Sequence, residues 1–337
     1  MDNDNKTYFR HHYWEMPIVI YLFLGGLAGG MFFLSWIIST FVMPGVDLTQ
    51  VLIGPLFVAL LCTGLGLIML VVDLGQPPVF YRAYVTATSI IKWGAVLLTI
   101  AAFGSLFWIL GNWSADAPVL GFLSVFNFLG GASGFCLAAA GIAGLGIMIY
   151  TGVMLSTLKA HSFWATPALP VLFTTSALST ACAAITLSAG IWPGVMTTAG
   201  ELVAKQEIVH LLHTVDIVLA FAELGILLIM ILSFLGAGNR TAKRVAVRWI
   251  KGSYALAFWG GMICLGLVLP LACYISGNEV AGVFAACCVL IGGLILRGLC
   301  VFSDDRQPLP GENRFYQRIS TDDTRFMTAW KAGENLY

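Results

Sequence analysis

The protein has 337 residues, with 17 lysines and arginines balanced by 17 aspartates and glutamates. Hydrophobic residues make up 59% of it and charged residues 10%, whereas soluble domains contain roughly 45–50% and about 25%. This composition excludes a soluble globular enzyme. The balanced charge, with no basic block in a soluble segment, also excludes an electrostatic footprint for nucleic acid.

The eight cysteines show no C-x-x-C spacing, and nearly all lie inside apolar runs. We therefore expect no iron–sulfur or zinc site of the protein's own. Packed inside apolar helices, free thiols behave as small hydrophobic side chains.

Eight apolar runs are long enough to cross a bilayer, whose hydrocarbon core of about 30 Å needs roughly 20 residues per helix. They cover residues 17–43, 51–73, 90–110, 131–158, 165–189, 208–235, 254–275 and 280–302. The first run is too long for the core of a cleaved signal peptide and follows sixteen mostly polar residues, so we expect it to remain as a span. The sequence predicts an all-α integral membrane protein with eight transmembrane helices.

The sequence divides into an N-terminal segment (1–16), a first four-helix bundle (17–158), a second four-helix bundle (159–303) and a polar C-terminal tail (304–337). No sequence repeat relates the two bundles. Glycines four residues apart in the first span, Gly25 with Gly29 and Gly26 with Gly30, predict close helix packing, because small residues let backbones approach within lipid.

Eight spans place both termini on one side of the membrane. The basic residues assigned to that side are Lys6, Arg10, Arg82, Lys92, Lys159, Arg240, Lys243, Arg244, Arg248, Lys251, Arg297, Arg306, Arg314, Arg318, Arg325 and Lys331. Only Lys205 falls in the opposite loops. The positive-inside rule then predicts cytoplasmic termini, although the same charges could instead dock an acidic partner.

A group of polar residues gathers at one end of the first bundle when the spans are traced up and down. It contains Glu15, Asp73, Arg82, Lys92 and Tyr150. Ionisable residues at membrane depth indicate function by default, and these could exchange protons with a small redox ligand. Alternatively, Asp73 caps a turn, the two cations extend to lipid phosphates, and Tyr150 belongs to the interfacial aromatic belt.

A second titratable group lies on the sixth predicted span and contains His210, His213, Asp216 and Glu223. At 100° per residue the last three lie within about an 80° sector and could form a proton path. Alternatively, His213 and Asp216 are hydrated near the far interface, and Glu223 is hydrogen-bonded to a hydroxyl of the fifth span such as Thr175, Ser176 or Ser179. The two histidines, three residues apart on one helix, cannot be opposite axial ligands of one iron, so we expect no haem.

Several stretches, in this order and spacing, resemble the NrfD/polysulfide reductase family of integral membrane subunits. They are WEMPIVIYLFLGG at 14–26, DLGQP at 73–77 leading to SIIKWG at 89–94, YTGVML at 150–155 running through FWATPALP at 163–170, and GGLILR at 292–297. The sixth span, with Asp216 and Glu223, completes the resemblance, which extends over nearly all of the sequence up to about residue 303.

The resemblance implies a subunit with no redox cofactor of its own, which binds menaquinone or ubiquinone at one end of the first bundle. There it would exchange electrons with a four-cluster iron–sulfur subunit, itself connected to a molybdopterin or multihaem catalytic subunit. Asp73 and Glu15 become candidate proton acceptors, and Tyr150 a hydrogen-bond partner of a quinone oxygen. No metal site is expected in this protein.

Further candidate residues follow from the same resemblance. His12, with its neighbour His11, would relay protons to water, while Arg82 and Lys92 would support the site or dock the partner. Two positions depart from the family pattern: Gln76 replaces a residue that is basic in many members, and Tyr21 is the nearest polar group where some members have a histidine in the first span.

We therefore expect a quinone-interacting subunit of an anaerobic respiratory complex in the prokaryotic cytoplasmic membrane, with its partner on the cytoplasmic side. A secondary transporter or channel using the sixth span is the alternative, although transporters usually show paired broken helices, and none is evident. A passive anchor for a peripheral redox complex is a third possibility.

Overall fold

The computed structural model describes residues 14–73, 90–113, 121–189, 199–236, 239–275 and 277–305. Nine α-helices are described, some of them extended by tighter or wider turns. They are α1 (Met16–Ile37), continued by a π-helix (Ile38–Val42), α2 (Thr49–Asp73), α3 (Ile90–Gly111), α4 (Ser133–Ser156) after a 3₁₀ helix (Gly121–Ala132), α5 (Ala168–Ser188), α6 (Ala199–Gly236), α7 (Arg240–Lys251), α8 (Leu269–Ile275) after a π-helix (Leu256–Val268), and α9 (Glu279–Val301).

Eight helical segments in the described ranges are long and apolar enough to cross a membrane, which confirms the predicted fold class. The seventh is formed by the π-helix and α8 together, and α7 lies outside the eight. Most span ends fall within about three residues of the predicted ones, because the thickness of the hydrocarbon core sets the length of each apolar run.

The main difference in length is at α6, which begins well before the predicted start at residue 208 and contains 38 residues. At 1.5 Å per residue it is about 57 Å long, so one end projects beyond a hydrocarbon core of about 30 Å. That end carries Glu201, Lys205 and Glu207. These residues are hydrophilic but have high helix propensity. Hydropathy alone therefore places the start of α6 too late in the sequence.

Small residues bring the central helices into contact, as the glycine spacing predicts. A Cβ on Gly29 of α1 would lie 2.7 Å from the carbonyl oxygen of Gly144 in α4, and one on Gly30 would lie 2.7 Å from that of Ala177 in α5. Helix α1 packs against α2, α4, α5 and α9. Because α1 reaches both halves of the sequence, the division into two bundles near residue 159 stays a prediction.

The loop between α4 and α5 ties the start of α1 to the end of α9. Trp14 stacks on Trp164 with ring centroids 5.3 Å apart, and the Trp164 indole donates to the carbonyl oxygen of Cys300 at 2.7 Å. His161 Nδ1 lies 2.8 Å from the carbonyl oxygen of Asp304. These contacts lie on the side of the membrane where α1 begins and α9 ends, hereafter the terminal side.

The predicted cluster of basic residues forms a helix, α7, on the terminal side. The Asn239 side chain caps it by accepting from the backbone of Thr241 at 3.0 Å and Ala242 at 3.3 Å. One face is buried through Ala242, Val245, Ala246 and Trp249. Exposed on the other are Lys243, Arg244 and Lys251, while Arg248 forms an ion pair with Asp305. The cluster is therefore an amphipathic helix that packs on the protein.

Candidate functional site

Two buried tyrosines meet between the first four spans. The phenols of Tyr21 of α1 and Tyr150 of α4 interact electrostatically, and the Tyr150 hydroxyl donates to the thioether sulfur of Met154 at 3.4 Å. Gly94 on α3 makes room for the Tyr150 ring, and Gly66 on α2 lies at contact distance from the Tyr21 ring. A Cβ on Gly94 of α3 would lie 2.7 Å from the hydroxyl oxygen of Tyr150, and one on Gly66 of α2 would lie 3.7 Å from Cδ2 of Tyr21.

Two carboxylates lie nearer the membrane surface than this tyrosine pair, at the same end of the spans. Glu15 immediately precedes α1 and is exposed, Asp73 is the last residue of α2 and is half-buried, and the two interact electrostatically. Tyr21 follows Glu15 by six residues, which places it about 9 Å deeper along α1. Lys92, the third residue of α3, is half-buried at the same end of the spans.

The structure thus places five of the predicted first-bundle site residues at one end of the first four spans: Glu15, Tyr21, Asp73, Lys92 and Tyr150. His12 and Arg82 lie outside the described residues. Sequence reasoning missed Gly94, which accommodates the Tyr150 ring, and Gly66, which lies beside the Tyr21 ring. Their signal is local: each is a glycine inside a span, within two turns of a polar helix end.

The sixth-span group is organised around Asp216, which is 2% exposed. Ser179 of α5 donates to its Oδ1 at 2.5 Å, and Tyr274 of α8 donates to its Oδ2 at 2.8 Å. The ring of His213 stacks on Tyr274 with centroids 4.5 Å apart, while His210 is exposed. Asp216 is therefore a buried, hydrogen-bonded acid and not a hydrated residue at the interface.

Glu223 lies about two turns further along α6 and is 4% exposed. It lines the same small cavity as Ser176 of α5 and interacts electrostatically with the guanidinium of Arg297. Arg297 Nη1 donates to Ser176 Oγ at 2.5 Å and to the carbonyl oxygen of Gly293 at 3.1 Å. Its Nη2 donates to the carbonyl oxygen of Phe173 at 3.3 Å. Two of the predicted fifth-span hydroxyls, Ser176 and Ser179, line the same cavity as Glu223, so the hydrogen bond itself stays a prediction, and Arg297 is an added counter-charge.

The assignment of Arg297 to the basic residues of the membrane surface is wrong. Its side chain is 1% exposed and lies inside the protein. The reason is electrostatic: a buried carboxylate needs a counter-charge, and an arginine in an apolar span supplies one. The sequence carries the signal, since Arg297 falls within the eighth apolar run and Glu223 within the sixth.

A small cavity lies between the Asp216 and Glu223 groups. Its polar lining consists of Ser176, Ser179, Thr180 and Glu223, and its floor includes Gly292 and Gly293 of α9. Seven residues of helix separate the two acids, or about 10 Å. Hydroxyls beside each acid therefore border one shared space. We call the set from His213 through Tyr274, Asp216, Ser179 and Ser176 to Glu223 the polar relay.

In the described ranges, no three His, Cys, Asp or Glu side chains are grouped as metal ligands would be. All eight cysteines are free thiols.

These features define a multi-pass helical membrane protein that holds polar side chains from several spans inside its helix packing. The family model "Polysulphide reductase, NrfD" matches residues 5–303. The protein therefore belongs to the NrfD/polysulfide reductase family, as its motifs predict.

Three relatives show the same relationship over most of their lengths. The C subunit of polysulfide reductase from Wolinella succinogenes is 27% identical over 273 residues, covering 77% of this protein and 81% of the relative. Protein NrfD of Escherichia coli is 27% identical over 329 residues, covering 90% and 98%. The NrfD homolog of Haemophilus influenzae is 23% identical over 285 residues, covering 79% and 84%.

Proposed function

We propose that this protein is the quinone-interacting membrane subunit of a respiratory oxidoreductase complex. Family membership supports the proposal, because NrfD-type proteins are quinone-interacting membrane subunits of such complexes. The observation that carries it to particular residues is the pair of buried phenols, Tyr21 and Tyr150, beneath the carboxylates of Glu15 and Asp73.

The residues fit the chemistry that a bound quinone supplies, the transfer of two electrons with two protons. Tyr150 donates to a thioether sulfur, which is a weak acceptor, so a quinone oxygen is a better partner for the same hydroxyl. Asp73 and Glu15 are close enough to water to take up or release protons. Lys92 lies at the same end of the spans, where it balances negative charge.

The partners follow from the same assignment. We propose a four-cluster iron–sulfur subunit that docks on the terminal side next to Asp73 and Lys92, and a molybdopterin or multihaem subunit behind it. One relative is named as a part of polysulfide reductase. The quinone is menaquinone or ubiquinone, and the membrane is the prokaryotic cytoplasmic membrane.

For the orientation, we propose that the terminal side faces the cytoplasm. The exposed cations of α7, Lys243, Arg244 and Lys251, support it, although burial of Arg297 removes one charge from the count of surface cations. A reporter fused after residue 337 tests this proposal, and activity of an extracytoplasmic reporter there would reverse it.

Replacement of Asp73 tests the site. In the purified complex, Asp73→Asn is expected to lower quinone-dependent turnover by about 10²–10⁴-fold, the usual contribution of a positioned acid or base, while the subunits still assemble. Glu279→Gln is the matched control, because Glu279 is an exposed carboxylate at the start of α9, on the side of the membrane away from Asp73. Normal turnover in Asp73→Asn would remove this residue from the mechanism.

The same preparation separates the alternatives. A passive anchor predicts that variants of Tyr21, Asp73 and Tyr150 all keep normal quinone-dependent turnover. A secondary transporter predicts solute uptake by vesicles that contain this subunit alone. Turnover that depends on quinone and on Asp73 contradicts both.

We also propose that the polar relay conducts protons through the last four spans. Its support is the sequence of contacts from His213 and Tyr274 to Asp216 and Ser179, followed by the shared cavity and Glu223. In sealed vesicles, Asp216→Asn is expected to lower the number of protons moved per electron. An unchanged ratio would contradict this second function and leave the quinone assignment intact.

A further inference from the structure

We propose that Arg297 is an electrostatic plug, which closes the terminal-side end of the polar relay to protons in the resting protein. Glu223 is the proton-carrying group that it blocks. The proposal rests on the proton path proposed above and adds the element that prevents this path from leaking.

The first argument is charge. Arg297 is buried to 1% exposure, deeper than any other lysine or arginine whose side chain the structure describes. It faces Glu223, and the other charged or titratable groups near the pair are Asp216 on α6 and Cys300 on α9. A fixed positive charge in a narrow, water-poor passage repels protons, as arginine does in proton-excluding pores.

The second argument is how the guanidinium is held. Its Nη atoms are hydrogen-bonded to Ser176, Gly293 and Phe173, but Nε is buried with no hydrogen-bond partner among the described residues. A buried donor without a partner is costly. A shift of the side chain that gives Nε a partner would relieve this cost, as a movable plug requires.

The third argument links the plug to the tyrosine pair. The guanidinium carbon lies 6.0 Å from the centroid of the Phe23 ring on α1, and Nη2 would lie 3.6 Å from a Cβ on Gly26. Phe23 follows Tyr21 by two residues, so the two side chains point to roughly opposite sides of α1. A displacement of α1 at Tyr21 thus reaches Arg297 directly.

A passive proton-leak measurement tests the plug without quinone or partner subunits. The full-length protein is reconstituted in sealed vesicles of phosphatidylethanolamine and phosphatidylglycerol with a pH-sensitive dye inside. A potassium diffusion potential then drives proton entry. The wild-type protein is expected to be tight, and Arg297→Gln to leak about tenfold faster, since loss of one close charge lowers an ion's barrier by at least this factor.

Two matched variants distinguish a plug from general damage. Arg297→Lys keeps the positive charge and is expected to stay close to wild type. Arg297→Gln combined with Glu223→Gln removes the carrier as well as the plug, and is expected to be tight again. A leak caused by loose helix packing would persist in the double variant.

The outcomes are decisive even if Arg297→Gln does not fold. In that case Phe23→Leu, which loosens the hold on the guanidinium but retains both charges, is compared with Phe23→Leu plus Glu223→Gln, and only the first is expected to leak. A folded Arg297→Gln as tight as wild type, or equal leaks in single and double variants, would overturn the plug. If the wild-type complex shows no quinone-dependent turnover, the quinone assignment is overturned instead.

Discussion

The molecule holds one polar cluster around Tyr21 and Tyr150 and another around Asp216, and the two differ in the hydrogen bonds that their central groups make. Around Tyr21 and Tyr150 a phenol donates to sulfur, and the nearby carboxylates face each other near the membrane surface. Around Asp216 both carboxylate oxygens accept from hydroxyls. A cluster that lacks strong partners is completed by a ligand, whereas a satisfied one holds its charges unaided.

The largest expected effect on stability is at Arg297 and Glu223. Arg297→Gln leaves Glu223 buried without its counter-charge, which is expected to cost about 3–5 kcal/mol of unfolding free energy. Thermal unfolding in detergent measures the loss. Addition of Glu223→Gln to this variant should restore most of it, and a double variant as unstable as the single one would show that the unbalanced Glu223 charge is not the cause.

A smaller loss is expected at the tyrosine pair. Gly94→Ala places a methyl group 2.7 Å from the Tyr150 hydroxyl oxygen, and overpacking of this kind costs about 1–3 kcal/mol. Because the ring must move, we also expect weaker quinone binding. Gly64→Ala on α2 is the control, since nothing lies within 4 Å of its Cβ position; equal behaviour of the two variants would contradict the packing explanation.

Removal of one hydroxyl from each cluster compares them directly. Tyr274→Phe removes a donor from the buried Asp216 carboxylate and should lower stability by about 1–3 kcal/mol without changing quinone affinity. Tyr150→Phe removes a donor that is spent on sulfur, so it should leave stability nearly unchanged and weaken quinone binding. Unfolding temperature and quinone titration are measured for both variants. Tyr274→Phe should lower only the unfolding temperature and Tyr150→Phe only the quinone affinity. Loss of both properties in both variants would contradict the difference between the clusters.

The smallest effect is expected at the exposed face of α7. Lys243→Gln and Arg244→Gln should change unfolding free energy by no more than about 0.5 kcal/mol, as is usual for surface substitutions. Thermal unfolding checks this prediction. A larger loss would mean that these cations hold contacts beyond the exposed surface.

The eight spans are predictable because each must match the same hydrocarbon thickness, and hydropathy reports this directly. Up-and-down tracing then places Glu15, Asp73 and Tyr150 at one end, since alternate helix ends share a side. Neither step says which way a side chain points around its helix. That limitation explains why the sequence misplaces Arg297 at the surface and does not reveal Tyr274 as a partner of Asp216.

Local chemistry sets the remaining differences. Helix α7 is held by an amphipathic face and an asparagine cap, features that a count of basic residues does not use. The glycines beside Tyr21 and Tyr150 can be noticed in the sequence near polar helix ends, but their contacts with the two rings are seen only when the neighbouring helices are in place. Sequence therefore predicts the spans and the residue types of the site, while helix rotation determines which of them meet.

The packing position of Trp14 has a consequence for how the protein is inserted into the membrane. Its stacking partner, Trp164, is bonded to the backbone of Cys300 near the end of α9. The start of the first of the eight spans is therefore held by a loop that is bonded to the end of the eighth. During membrane insertion, the region around Trp14 and Glu15 can reach its final packing only after the eighth span has entered the membrane. A nascent polypeptide that lacks this span would therefore have incomplete packing next to the tyrosine pair.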